Sequence, residues 1–489
     1  MNFSINNRFF NGMGILKTNI LLGALVILSG CTEGGKEKEV SETLEADSKQ
    51  NVIIIFADDL GYGDLSSYGH PTIRTKNLDQ MAAEGQKWTN FYVGASVCTP
   101  SRAALLTGRL PIRSGMASSV NRVLFPDSHN GLQQSEVTLA EQMKKGGYAT
   151  AAIGKWHLGH KEEFLPTSHG FDSYYGIPYS NDMDNIIPFR SPNGYFSFWK
   201  SEERKDINTF NVPLMRDTEI IERPADQHTI TKRYTEEAIK FINEKKEEPF
   251  FLYLAHNLPH VPLFASKDFE GTSPRGLYGD VVEEIDNSVG QILDELKKTG
   301  LDKNTIVVFT SDNGPWLIMN EEGGSAGLLR NGKGSTWEGG MREPCIFWAP
   351  GRIKPGIVTD MGSTMDLYTT FSKMAGVDIP TDRIVDGIDL GPVLFNNEKS
   401  MRKDMFYYRG DKLYAARVGD YKAHFITQEP YGPDVFEHET PLLYNLSIDP
   451  SEKYDISKEN PAVIQRINEV VKVHNSKMVK GKDQLAERG

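Results

Sequence analysis

Two continuous apolar runs constrain this chain more than any other feature: Asn51-Val-Ile-Ile-Ile-Phe-Ala57 and Thr305-Ile-Val-Val-Phe-Thr-Ser311. Short unbroken runs of this kind read as strands buried on both faces, the type found in parallel sheets. Each run ends at once in oxygen-bearing side chains, Asp58-Asp59 after the first and Asp312-Asn313 after the second. Ligand sites of open α/β sheets lie just beyond the carboxyl ends of their strands. Asp-Asp or Asp-Asn-Gly alone reads as a turn. Together they read as a metal site. Three carboxylates and an amide without histidine suit a hard cation, Ca²⁺ or alternatively Mg²⁺, better than Zn²⁺.

The chain between these runs alternates helix and strand. A helical pattern over Leu78–Glu84 stops at Gly85, and Thr138-Leu-Ala-Glu141 is a capping box opening a helix that ends at Gly146-Gly147. A strand over Tyr148–Gly154 follows and delivers Lys155-Trp156-His157. An amphipathic helix over Tyr234–Lys245 precedes the strand Pro249–Ala255, which delivers His256 and His260. A longer helix around Val281–Lys298 leads into the second metal-site strand, and the glycine-rich segment Asn331–Gly340 supplies Lys333. The alternation predicts an α/β domain with helices on both sheet faces. A hard cation, fixed positive groups and proton carriers at one sheet edge suit an oxyanion ester, phosphate or sulfate.

Val97-Cys98-Thr-Pro-Ser-Arg102 places one cysteine in a turn at the start of a short helix. Free N–H groups and the positive dipole end there, with Arg102 nearby, suit a sulfur nucleophile or an anionic substrate. Read alone, Cys98 is more readily a small buried hydrophobe, and only the rest of the chain argues otherwise.

The net charge of −12 argues against nucleic acid as a partner. Arg8 and Lys17 precede the apolar run Asn19–Ile27, which is short for a bilayer span and reads as the core of an export signal. Leu28-Ser-Gly-Cys31 closes it and resembles a bacterial lipoprotein box, with Cys31 lipidated. The expected organisation is a signal over residues 1–30, a polar tether over 31–50, a catalytic domain over 51–395 and a C-terminal subdomain over 396–489. Export to the periplasm or cell surface with a lipid anchor follows. The three cysteines, Cys31, Cys98 and Cys345, exclude a disulfide scaffold. Cys345 reads as a buried strand residue.

Cys98-Thr-Pro-Ser-Arg102 resembles the Cys/Ser-x-Pro-x-Arg signature of the type I sulfatases, and Gly154-Lys-Trp-His-Leu-Gly159 resembles their second signature. Phe56–Asp64, Gly176–Ser180, Gly332–Gly340 and Tyr421–Phe425 look like the arylsulfatase A and N-acetylgalactosamine-6-sulfatase group. The resemblance spans nearly the whole mature chain. It implies an alkaline-phosphatase-like fold: a mixed, mostly parallel sheet between helices, with a smaller antiparallel sheet and helix at the C-terminus. It also implies that a separate maturation enzyme oxidises Cys98 to formylglycine. The hydrated aldehyde attacks sulfur through one hydroxyl, and the second hydroxyl loses its proton as sulfate leaves, so one hard step becomes two easier ones.

On this resemblance Asp58, Asp59, Asp312, Asn313 and modified Cys98 would hold Ca²⁺, and Arg102 would stabilise the deprotonated diol. Lys155, Lys333 and Ser180 would contact sulfate, and His157 would orient or deprotonate the diol. His260 would protonate the leaving alcohol and touch substrate. His256 is not assigned a catalytic role, and His424 could reach substrate. The expected substrate is a sulfated saccharide or an aryl sulfate ester. Few cysteines and different loops over Pro188–Arg223 set the chain apart from the animal members. The alternatives are a phosphatase or phosphodiesterase of the same superfamily, or a glycan-binding lipoprotein without turnover. In the C-terminal part, short strands are expected over Met405–Tyr408, Leu413–Val418, Tyr421–Thr427 and Leu442–Asn445, then a helix over Ala462–Asn475.

Overall fold

A computed structural model describes residues 49–184 and 206–489. The expected signal and Cys31 fall outside the described residues. Ten strands form one sheet, in the order Gly356–Ser363, Gln86–Tyr92, Arg342–Trp348, Thr305–Ser311, Asn51–Ala57, Phe250–Ala255, Ala149–Gly154, Ser173–Gly176, Leu214–Arg216 and Glu219–Glu222. The five strands from Thr305–Ser311 to Ser173–Gly176 run parallel. Their carboxyl ends therefore share one edge, and that shared edge carries the site.

The Asn51–Ala57 strand is fully buried, and successive side chains alternate faces. Ile53, Ile55 and Ala57 pack against helices Lys76–Glu84, Ile230–Glu244 and Leu277–Thr299. Val52, Ile54 and Phe56 pack against Cys98–Thr107, Leu139–Lys145 and Thr364–Met374. The sheet is a sandwiched middle layer, as its apolar runs require. The expected capping box is present: Glu141 N–H donates to Thr138 Oγ1 at 3.1 Å, and Thr138 N–H donates to Glu141 Oε2 at 2.6 Å.

A second, antiparallel sheet comprises Asp404–Arg409, Lys412–Val418, Tyr421–Gln428 and Val435–Asn445. Helix Pro461–Ser476 packs Ile464 and Ile467 beneath it against Ala416, Ala423 and Leu443. Tyr407 and Ala415 share a core with Tyr92 and Met365 of the main layer. Lys422 Nζ bridges Glu338 and Glu452 at 3.0 and 3.1 Å, fully buried.

Lys49, at the end of the expected tether, is tied to the body: its Nζ donates to the Gly146 carbonyl at 2.5 Å, and its own carbonyl accepts from Asn304 at 3.1 Å. The part of Pro188–Arg223 that is described includes two strands, Leu214–Arg216 and Glu219–Glu222, which extend the main sheet. Among the described residues no helix is long and apolar enough to cross a membrane.

If the central strand anchors both cores, Ile54→Ala should destabilise by about 2–5 kcal/mol. Ile357→Ala, at a side chain 66 % exposed on the edge strand, should stay within about 0.5 kcal/mol. Thermal melting checks both, and equal shifts would contradict this layering.

Candidate active site and metal centre

Helix Cys98–Thr107 is buried along its whole length and starts at Cys98 itself. Pro100 lies in the first turn, where its missing N–H costs no helical bond. Thr99 ties the turn to neighbouring loops: its hydroxyl donates to the His157 carbonyl at 3.0 Å and accepts from Leu124 N–H at 3.2 Å. The Cys98 thiol is thereby held 3.5 Å from Asp58 Oδ1. Burial pushes that thiol well above its ordinary pKa, although Lys155 and Lys333 pull the other way. Burial thus favours the neutral thiol of an unmodified Cys98.

Asp58 and Asp59 follow the central strand, and Asp312 and Asn313 follow its neighbour, as predicted. Asp59 N–H donates to Asp312 Oδ1 at 3.1 Å, and Asn313 Nδ2 donates to Asp59 Oδ1 at 2.7 Å. Asp59 adopts φ 62°, a left-handed conformation that turns its carboxylate inward. One ligand atom from each of Asp58, Asp59, Cys98 and Asp312 falls within a 4.8 Å group. Asn313 Oδ1 is buried without any hydrogen-bond donor. A buried orphan acceptor beside three carboxylates is what a hard cation would satisfy. The donor set fits such an ion.

Three cations answer the three carboxylates. Lys155 Nζ donates to Asp58 Oδ2 at 2.5 Å, and Lys333 Nζ donates to Asp59 Oδ2 at 2.7 Å. Arg102 donates through Nε and Nη2 to Asp312 Oδ2 at 3.1 and 2.8 Å. Burial alone would raise Asp58, but Lys155, His260, Arg102 and Lys333 outweigh it and hold the carboxyl well below its usual range. Burial and the neighbouring Asp58 raise Asp312 to about 7. Burial also raises Asp59 against the pull of Lys333.

Gly154 sits at φ 105° where the chain leaves its strand, and a Cβ there would meet the Ala255 carbonyl at 1.8 Å. This tight turn delivers Lys155, whose ammonium also donates to Ser180 at 3.1 Å. His157 Nε2 donates to the Leu124 carbonyl at 2.9 Å, leaving Nδ1 buried without a partner. That arrangement fixes the tautomer, with a bare lone pair on Nδ1. His260 is fixed the opposite way: Nδ1 donates to the Val261 carbonyl at 2.6 Å, and Nε2 lies 3.6 Å from Asp59 Oδ2. Burial, followed by lysine charge, lowers both imidazoles well below their ordinary pKa.

Cys98, His157, Ser180, His260 and Lys333 all line one open pocket of about 600 Å³. Arg102 is fully buried and does not line it. It reaches the pocket only through Asp58, Asp312 and the Lys155 carbonyl, to which Nη1 donates at 3.0 Å. His256 is buried against Ser288 at 3.5 Å, away from the pocket lining. His424 is not on the pocket either. Its Nε2 donates to Glu452 Oε1 at 2.7 Å, and its ring is fully buried against Trp337. Sequence reasoning missed Asp182, Trp316 and Tyr431, which complete the wall. Trp316 follows the Asp312-Asn313-Gly314 turn closely, the one signal that could have found it. Tyr431 comes from a remote hairpin and carried none.

The raised Asp312 sets the pH dependence of cation binding. Asp312, raised to about 7 by burial and its carboxylate neighbours, favours its protonated form below neutrality, and a cation binding there must displace that proton. Ca²⁺ affinity should therefore weaken as pH falls through neutrality, with proton release on binding. Calorimetry in buffers of different ionisation heat checks this, and a pH-independent affinity from 6 to 8 would contradict it (about one unit each side of that value).

A family model described as "Sulfatase" matches residues 50–377, and one described as "C-terminal region of aryl-sulfatase" matches residues 400–489. The chain is 41% identical over 476 residues to an N-acetylgalactosamine-6-sulfatase of Mus musculus, covering 89% of this chain and 88% of that protein. It is 41% identical over 474 residues to an arylsulfatase A of Bos taurus, covering 91% and 92%. The crystal structure of the PsFucS1 sulfatase from Pseudoalteromonas sp. superposes with a TM-score of 0.78 at 30% identity, covering 90% and 92%. On the two family matches and these identities, the chain belongs to the sulfatase family.

Proposed function

We propose that this sulfatase removes sulfate from a sulfated carbohydrate, using Ca²⁺ and a formylglycine made from Cys98 by a separate maturation enzyme. The observation that carries this reading is the position of Cys98. Its side chain opens onto the pocket and faces the carboxylate cluster at the same time. Asp58, Asp59, Asp312 and Asn313 would hold the cation, together with the modified side chain of residue 98. The cation supplies charge stabilisation at that edge, and the formylglycine supplies a hydrated aldehyde as nucleophile.

Charge balance leaves room for an anionic ester. Asp58, Asp59 and Asp312 are matched by Arg102, Lys155 and Lys333, so the protein groups sum to zero. The added positive charge is then available for an anionic ester and a deprotonated hydroxyl. Lys333 and Ser180 line the pocket where they can donate to ester oxygens, and Lys155 acts from behind them through its bonds to Ser180 and Asp58. His157 Nδ1 has a free lone pair with which to take the nucleophile's proton. His260 Nε2 faces the open pocket, where it can take a proton from solvent and pass it to the alcohol oxygen as the S–O bond breaks. Arg102 acts from beneath by holding Asp312 and the Lys155 carbonyl.

The names of the relatives support a carbohydrate ester, since one is an N-acetylgalactosamine-6-sulfatase. Export and a lipid anchor at Cys31 complete the proposal and rest on the N-terminal pattern Arg8–Cys31. Sulfate release from matched aryl sulfate and aryl phosphate tests the reaction class. Sulfate should be hydrolysed and phosphate not, and a preference for phosphate would overturn the reading. Lys333→Ala should lower kcat/KM by about 10²–10³-fold, the usual cost of removing one donor from a charge-stabilising site. An unchanged kcat/KM would remove Lys333 from that role.

A further inference from the structure

One group on the pocket wall is unexplained by the removal of a single sulfate. Arg122 lines the pocket, with its guanidinium 4.8 Å from the centre of the Tyr431 ring. Tyr431 stacks in turn on Trp316, the rings 6.1 Å apart at 30°. Lys333 lies 4.5 Å over Trp316. An aromatic wall thus leads from the sulfate-facing lysine outward to Arg122.

Most other charged groups on the wall are already matched. Lys333 pairs with Asp59, Asp184 with Arg223, and Arg488 with Asp127. Arg122 has no carboxylate partner among the described residues. Its Nη2 donates to the Pro430 carbonyl at 2.5 Å, and Arg409 Nη2 donates to the same carbonyl at 2.8 Å. Arg409 likewise pairs with no carboxylate among the described residues. Burial, and then the charge of Arg122, hold Arg409 down to about 10. The two guanidinium groups flank a hollow of about 40 Å³ next to Ser118 and the Val97 end of the nucleophile turn. Two adjacent cations sharing one neutral acceptor repel each other, and an anion between or in front of them would relieve that repulsion.

We propose that Arg122, backed by Arg409, is a subsite for a second anionic group, so that the preferred substrate is a saccharide carrying a sulfate or carboxylate besides the ester being cleaved. The proposal rests on the sulfatase reading for the position of the reacting ester. The aromatic wall sets the direction: a sugar ring on Trp316 and Tyr431 spans the space between the lysine end and the arginine end. Planar, forked donors favour bidentate binding of either oxyanion.

Calorimetry on the Cys98→Ala protein, which leaves ligands intact, tests this with three matched disaccharides. One carries the target sulfate only, one adds a carboxylate on the neighbouring sugar, and one adds a second sulfate there. At least one dianionic ligand should bind about tenfold or more tightly than the monosulfate, the value of one charge-assisted contact. Which of the two it is identifies the second group. Arg122→Met in the same background should abolish the preference, and Arg122→Lys should recover part of it. Equal affinity for all three ligands would overturn the subsite. So would a preference that survives Arg122→Met, or a loss in Arg122→Met that is equal for all three ligands. Failure of the sulfatase reading shows separately, as no sulfate release from any of the three by the matured wild-type protein.

Discussion

Asp58, Asp59 and Asp312 are buried within hydrogen-bonding reach of one another's partners, and three carboxylates out of water are costly to arrange. Carboxylates removed from water are tolerated only when matched, and here Lys155, Lys333 and Arg102 match them. The parallel strands bring the carboxylates to one edge. The Gly154 turn brings Lys155, the glycine-rich segment brings Lys333, and the Cys98 helix brings Arg102. Such a cluster adds little net stability, because desolvation consumes most of the attraction. Its value lies in fixing the Cys98 side chain, the orphan oxygen of Asn313 and two tautomerically defined histidines around one space.

Strand ends were the legible part of this sequence. Asn51–Ala57 and Thr305–Ser311 read as buried strands, and the pairing of Asp58-Asp59 with Asp312-Asn313 at their ends read as one site. The short strand before Gly154 placed Lys155 and His157 for the same reason. Arg102 was legible as a site residue, but its depth was not: lying four residues after Cys98 puts it one helical turn inward, where it binds Asp312 instead of facing the pocket. The contacts of His424 with Glu452 and Trp337 were not legible, because register follows from pairing across the sheet rather than from local pattern. Arg122 and Tyr431 lie in loops far apart in sequence, and only tertiary packing brings them together.

The pocket thus has two parts with different origins. Its floor comes from the parallel sheet and is set by the chemistry. Its wall comes from the loop after the Cys98 helix, from Trp316 and from the hairpin before Val435–Asn445 in the second sheet. A loop-built wall can change without disturbing the buried charges, which separates what is cleaved from what is recognised.

The measurement that bears most directly on this account is mass spectrometry of the tryptic peptide Trp88–Arg102 alongside sulfate release from the same preparations. Conversion of Cys98 exchanges a thiol for an aldehyde oxygen, with loss of one sulfur and two hydrogens. The account predicts that activity rises in proportion to the converted fraction and vanishes when every copy of Cys98 keeps its thiol. Full activity in protein whose Cys98 is entirely unconverted would contradict it.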